Sequence, residues 1–234
     1  MSIDSVFYCS YRHLFFKTMN KQNLPLEHNY RAANTYNPPA IIMLHGYGSD
    51  ENDLFSFAGE LPEKYAIFSL KAPLPMQPFG NAWYSIYFEA GSGKFNNTEE
   101  AIESRELVVK CIDEIIEKYE IDSNNITLLG FSQGTILSFS IAMSYPQKIK
   151  NVIGLSGYIS EDMFKENYRN NDFSKLSVYT SHGSVDQVIP VDWARKTAPF
   201  LKELNIKCVY SEFPVGHGVA PQNFYELKAW LASH

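Results

Sequence analysis

Nineteen residues, 126–144, constrain the fold of this 234-residue chain more than any others. They read ITLLGFSQGTILSFSIAMS. The apolar run Ile126 to Leu129 reads as a buried strand, and the stretch after Gly134 as a helix. Between them stands Gly130-Phe131-Ser132-Gln133-Gly134, a serine on a sharp strand-to-helix turn. Such a turn brings strand and helix too close for side chains two residues before and after the serine, where this chain has glycine. A serine hydroxyl is a weak nucleophile and must stand where a base can reach it. The Gln133 N–H, just inside the helix start, is placed to meet a developing oxyanion, so Gln133 is expected to act through its backbone rather than its side chain. The bare Gly-x-Ser-x-Gly pattern arises by chance in roughly one chain of this size in ten. The flanking strand and helix, and partners elsewhere, must carry the rest.

Those partners occur in order. Pro38-Pro39 precedes the apolar run Ala40 to Leu44, a strand buried on both faces, which ends in His45-Gly46-Tyr47-Gly48-Ser49-Asp50. Small residues after an early strand form a loop able to supply a second oxyanion donor. His45 precedes the serine and reads as a structural hydrogen-bonding residue. Residues 50–61 read as a helix stopped by Pro62, and Ala66 to Leu70 as a strand. Residues 72–80 carry three prolines and lead into the aromatic cluster Trp83, Tyr84, Tyr87 and Phe88, either a packing cluster or a pocket wall. Asn97 to Glu120 is the clearest helix, with Asn97 and Glu100 spaced as a capping pair. Strands follow at 151–155, 176–180 and 206–213, and helices at 192–204 and 221–232. Strands alternating with helices require right-handed crossovers and a mostly parallel sheet covered on both faces.

Asp186 follows a strand in the loop His182-Gly183-Ser184-Val185-Asp186, and His217 follows the last strand between two glycines. The order Ser132, Asp186, His217 is that of the α/β-hydrolase fold and of neither common serine-protease architecture. In such a set the serine attacks an acyl carbonyl, the histidine takes and returns its proton, and the aspartate holds the imidazole in its tautomer. Asp172 is the rival acid. His182 is the rival base, but it lies before the acid rather than after the last strand.

Composition excludes other classes. A net charge of −6 without a basic cluster argues against nucleic acid and against binding to anionic membrane. No apolar run is long enough for a membrane span. The three cysteines, Cys9, Cys111 and Cys208, form no disulfide or metal spacing, which points to a reducing, cytoplasmic setting. Cys111 and Cys208 read as packing residues. Residues 1–24 lack the apolar core of a signal peptide and read as an N-terminal extension, with Met19 as an alternative start; residues 25–234 read as one domain. His13 and His28 read as surface residues.

The segments Leu44-His45-Gly46-Tyr47-Gly48, Gly130-Phe131-Ser132-Gln133-Gly134, His182 to Pro190 and Gly216-His217-Gly218 together resemble the phospholipase/carboxylesterase family, which includes acyl-protein thioesterases and small bacterial esterases. The resemblance runs from about residue 38 to the C-terminus. It implies a single cofactor-free α/β-hydrolase domain with no metal, acting on small-molecule carboxylic esters or thioesters, and it allows a homodimer. It implies Tyr47 and Gln133 as backbone oxyanion donors. Trp83-Tyr84 looks like the family's Trp-aromatic-Asp element by the acyl pocket, with Ser85 where aspartate is usual. The leading expectation is a serine esterase for short to medium acyl chains, with acyl-protein thioesterase or lysophospholipase as alternatives. A hydrolase-fold binding protein without activity and a peptidase are the remoter ones.

Overall fold

A computed structural model describes residues 22–89 and 93–234. Cys9, His13 and Met19 lie outside them. The chain builds β1 (His28–Arg31), β2 (Ala40–Leu44), a 3-10 helix (Leu54–Glu60) and β3 (Ala66–Leu70). Two short hairpins follow, β4 (Leu74–Pro75) with β5 (Asn81–Ala82) and β6 (Ile86–Glu89) with β7 (Gly93–Asn96). Then come α1 (Thr98–Lys118), β8 (Ile126–Phe131), α2 (Gln133–Ser144), β9 (Asn151–Leu155), β10 (Ser177–Gly183), α3 (Val191–Ala194), α4 (Thr197–Glu203), β11 (Lys207–Phe213) and α5 (Pro221–Ala232).

Seven strands form one sheet in the order β1-β3-β2-β8-β9-β10-β11. Only β1 is antiparallel to its neighbour. The parallel strands alternate between two cores, as a period of two requires. Ile42, Leu44, Leu128, Val152 and Val178 face α1, α2 and α4. Ile41, Met43, Leu129, Ile153 and Tyr179 face the 3-10 helix and α5. The expected α/β-hydrolase sheet with helices on both faces is therefore present. Helix α2 is buried on every side, as a helix wedged between a sheet and a second helix must be.

After β2 the chain turns to β3 on one side; after β8 it turns to β9 on the other. β2 and β8 are adjacent, so the loops leaving them border the switch point where open α/β sheets place their sites.

Several expectations change. The helix expected over 50–61 is a 3-10 helix confined to Leu54–Glu60, preceded by an Asx turn in which Asn52 N–H donates to Asp50 Oδ1 (2.8 Å). The helix expected over 192–204 breaks after Ala194 and restarts at Thr197. Pro199 causes this: without an N–H it cannot bond the Arg195 carbonyl, but it is tolerated in a first turn. β10 runs three residues past Thr180, so His182 and Gly183 belong to the strand. The proline-rich loop, expected to hold no regular element, folds back as the two-residue ladder β4–β5. His28 is not on the surface: it is 2% exposed, with Nε2 3.2 Å from Tyr119 Oη. Leu24 packs into the core, one residue before the expected domain start.

Candidate active site

Ser132 sits at φ 53°, ψ −115° between β8 and α2. A non-glycine residue there is strained by about 1–3 kcal/mol, and the surroundings hold it in place. Its N–H donates to Leu155 O at 2.8 Å. Thr135 Oγ1 lies 2.7 Å from Gly130 O and 2.8 Å from Leu155 O, and accepts the Leu155 N–H at 2.9 Å. Gly134 is required by a close approach: a Cβ there would lie 1.9 Å from Leu44 O. The same contact fixes the start of α2 against the loop leaving β2.

His217 Nε2 is 2.9 Å from Ser132 Oγ, and His217 Nδ1 is 2.7 Å from Asp186 Oδ2. A carboxylate only accepts, so Nδ1 carries the ring proton and Nε2 is free to accept from the serine. The loops holding Asp186 and His217 are tied together, Ser184 N–H donating to Phe213 O (2.8 Å) and Val185 N–H to Val215 O (3.3 Å). Burial alone would push the Asp186 carboxyl up. Donors from His217, Ile189 and Val188 outweigh it and hold the group below its ordinary value. Of the rivals, Asp172 is exposed and closes a turn by accepting Ser174 N–H (2.9 Å). His182 lies against Asp186 rather than against the serine.

The serine and histidine open on a cavity of about 380 Å³ lined by Gly46, Tyr47, Tyr84, Ile86, Gln133, Ile136, Val188 and Ile189, among others. Tyr47 and Gln133 both border it. Gln133 is the first residue of α2, so its N–H is one of the donors a helix start leaves over. Of the aromatic pair, Tyr84 lines the cavity. Trp83 does not; it is fully buried, and its indole N–H donates to His45 O (2.9 Å).

Two supporting contacts had no local signature in the sequence, and a third fits the structural reading of His45. The Gln133 side chain, expected to matter little, is buried: its Oε1 accepts Trp83 N–H (2.9 Å) and its Nε2 donates to Tyr84 O (2.7 Å), pinning the aromatic loop to the elbow. Glu100 does not complete a capping box. Asn97 Oδ1 accepts Glu100 N–H (3.2 Å), while the Glu100 carboxylate accepts Ser85 N–H (2.6 Å) and so anchors the loop. His45 is buried, as a structural residue should be: Ala72 N–H donates to its Nε2 (3.0 Å), which places the proton on Nδ1, 2.7 Å from Gly46 O.

Among the described residues no group of three or more histidine, cysteine or acidic side chains is placed to hold a metal, and no helix is long and apolar enough to cross a membrane.

The sheet order and the serine–histidine–aspartate chain define a protein of the α/β-hydrolase class. The fold is shared with a Bacillus cereus carboxylesterase at a TM-score of 0.77, with 18% identity over 89% of this chain and 94% of that one. Over residues 31–234 the sequence matches the phospholipase/carboxylesterase model, and the chain belongs to that family. It is 28% identical over 127 residues to a probable carboxylesterase of Arabidopsis thaliana, covering 53% of this chain and 48% of that protein. It is 27% identical over 204 residues to acyl-protein thioesterase 1 of Yarrowia lipolytica, covering 82% of this chain and 89% of that protein. The chain thus spans about half the length of the first relative and most of the second.

Proposed function

We propose that this protein hydrolyses carboxylic esters of short to medium acyl chains through an acyl-enzyme on Ser132. The observation that carries the reading is the continuous hydrogen-bonded chain from Asp186 through His217 to Ser132, opening on one cavity. Ser132 Oγ attacks the ester carbonyl as His217 Nε2 takes its proton. The N–H groups of Tyr47 and Gln133 hold the oxyanion, a donor pair in which each contributes about 10²–10³ in rate. Collapse expels the alcohol, protonated by His217, and leaves an ester on Ser132. Water, deprotonated by His217, then releases the acid and restores the serine. Tyr84, Ile86 and Ile136 supply an apolar wall for the acyl chain. The reaction needs no cofactor or metal. Residues 25–234 act as one catalytic domain.

A thioester substrate is the second reading, favoured by the similarity to acyl-protein thioesterase 1 over 82% of the chain. The chemistry is the same, with a thiolate leaving in place of an alkoxide. A lysophospholipid ester would use it too. A chain-length series of p-nitrophenyl esters, run beside the matching acyl thioesters, tests these readings. Ester turnover peaking between acetyl and octanoyl is the expected result. Thioester kcat/KM higher at every length would favour the second reading, and faster cleavage of aminoacyl amides would overturn both.

A further inference from the structure

Asp186 has a second imidazole against it. His182, the next-to-last residue of β10, is 1% exposed. Its Nε2 lies 3.2 Å from Asp186 Oδ2, the oxygen that also receives His217. The same nitrogen is 2.9 Å from Ile189 O. A peptide carbonyl and a carboxylate both accept only, so Nε2 carries the proton: it donates to Ile189 O and holds its positive end against Asp186 Oδ2. The other ring nitrogen, Nδ1, is buried with no hydrogen-bond partner. Buried polar atoms are almost always satisfied, and an imidazole that strands one nitrogen is a poor filler for a packed core. What this ring does make is directed at residues 186–189. The carboxylate closes that loop from inside by accepting Val188 and Ile189 N–H through Oδ1. His182 closes it from the sheet.

We infer that His182 is a positioning residue for the acid of the triad: its Nε2–H, bonded to Ile189 O, holds the 186–189 loop with Asp186 Oδ2 in line with His217, and its positive end beside Oδ2 draws part of the carboxylate charge away from His217. The inference rests on the triad reading above. The ionisable groups facing the ring are Asp186, His217 beyond it, and Glu212, its register partner on β11. Glu212 is already paired with Arg195 (2.8 Å) and Tyr210 (2.9 Å), and Arg195 also with Asp192 (2.9 Å). Glu212 is thus engaged elsewhere, and Asp186 is the carboxylate that the His182 N–H bears on. Without the His182 N–H, the carboxylate turns more freely and its charge bears more heavily on His217. The imidazolium becomes easier to form, so the acid limb of kcat/KM moves to higher pH. His182 does not border the cavity, so KM stays.

Glutamine carries an amide N–H about where the imidazole has Nε2–H; asparagine is too short, and leucine has no donor. The test compares His182→Gln, His182→Asn and His182→Leu with wild type. It reads kcat and KM on a p-nitrophenyl ester, the acid limb of kcat/KM, and the downfield proton resonance of His217 Nδ1–H. Gln is expected within about threefold of wild-type kcat, with limb and resonance in place. Asn and Leu are expected to lose about 10- to 100-fold in kcat, the loss of a buried hydrogen bond together with a donor lying beside a charged group, with the limb raised and the resonance moved. If Leu does not fold, Asn carries the comparison. A folded Asn variant with wild-type kcat and limb would overturn the inference. So would a Gln variant as impaired as Asn, or failure of both Asn and Leu to fold, which would make His182 a packing residue. The resonance needs no turnover. If wild type cleaves no ester but the resonance still moves in Asn and not in Gln, the esterase reading falls and the positioning role stands.

Discussion

Ser132 adopts a backbone conformation that a serine rarely takes, at φ 53°, braced by its N–H bond to Leu155 O and by the Thr135 hydroxyl. Ser132→Ala and His217→Ala are each expected to lower kcat by at least about 10⁴-fold with unchanged circular dichroism, since neither side chain packs the core. A variant with a near wild-type rate would show that the wrong residue was chosen. His45 gives a pH dependence of stability. Burial, the largest influence, pushes its imidazole below the ordinary value, against smaller opposing effects of the Gly46 carbonyl and the acidic residues 50, 51 and 53. Protonation at Nε2 would also break the bond from Ala72 N–H. The unfolded chain therefore takes up this proton first. The contribution of His45 is complete above about pH 6.5 and falls as pH drops, by up to about 1.4 kcal/mol per pH unit. Urea unfolding from pH 7.5 to 5 should show that slope in wild type and a flatter one in His45→Gln; equal slopes would refute it. At this scale the sequence was informative where a residue's placement depends on a local pattern, as for Ser132, Asp186 and His217, which lie within hydrogen-bonding distance of one another. The Gln133 amide, Thr135 hydroxyl and His182 ring act on partners 20 to 50 residues away, or change role because a strand runs longer than its apolar core, and no local pattern marks them.

At the scale of elements, the buried parallel strands were legible because continuous apolar runs bounded by prolines and glycines have few other uses. β1 was not. Its four residues, His28-Asn29-Tyr30-Arg31, show no apolar alternation; pairing with β3 makes them a strand. Arg31 fastens that edge by donating to the carbonyls of Ala58, Leu61, Pro62 and Tyr65. Arg31→Met is expected to cost about 2–4 kcal/mol, because several carbonyls lose a charged donor together; a urea midpoint within error of wild type would contradict this. The elbow is less tolerant. Gly134→Ala places a methyl group onto the Leu44 carbonyl, and either α2 or β2 must move. Activity should fall by more than 10²-fold, and thermal stability by the amount typical of overpacking, about 1–3 kcal/mol. A well-folded, fully active alanine variant would mean that strand and helix are not pressed together as described.

At the scale of the whole molecule, the sheet order explains why loops from distant stretches of the chain converge. Chain reversal between β2 and β8 leaves a crevice at their C-terminal ends, and the loops carrying Tyr47 and Ser132 flank it. Asp186 and His217 arrive from β10 and β11, two and three strands across from β8. This much followed from alternating strands and helices with the motifs in order. The cavity's shape did not, because its walls come from the proline-rich loop, whose hairpins depend on anchors such as Glu100 and Gln133. Ile136 lies one helical turn beyond Ser132 and lines the cavity. Ile136→Trp should therefore reduce kcat/KM for octanoyl esters at least tenfold more than for acetyl esters, and equal losses would place the acyl chain elsewhere. The claim beneath all of this is that Ser132 is a nucleophile activated by His217 and Asp186. Mass spectrometry of the folded protein after brief exposure to an alkyl fluorophosphonate tests it most directly. One phosphonyl adduct on the peptide containing Ser132 is expected, absent in Ser132→Ala and slowed at least about 10²-fold in His217→Ala. No adduct on the folded wild type, or one on another residue, would contradict it.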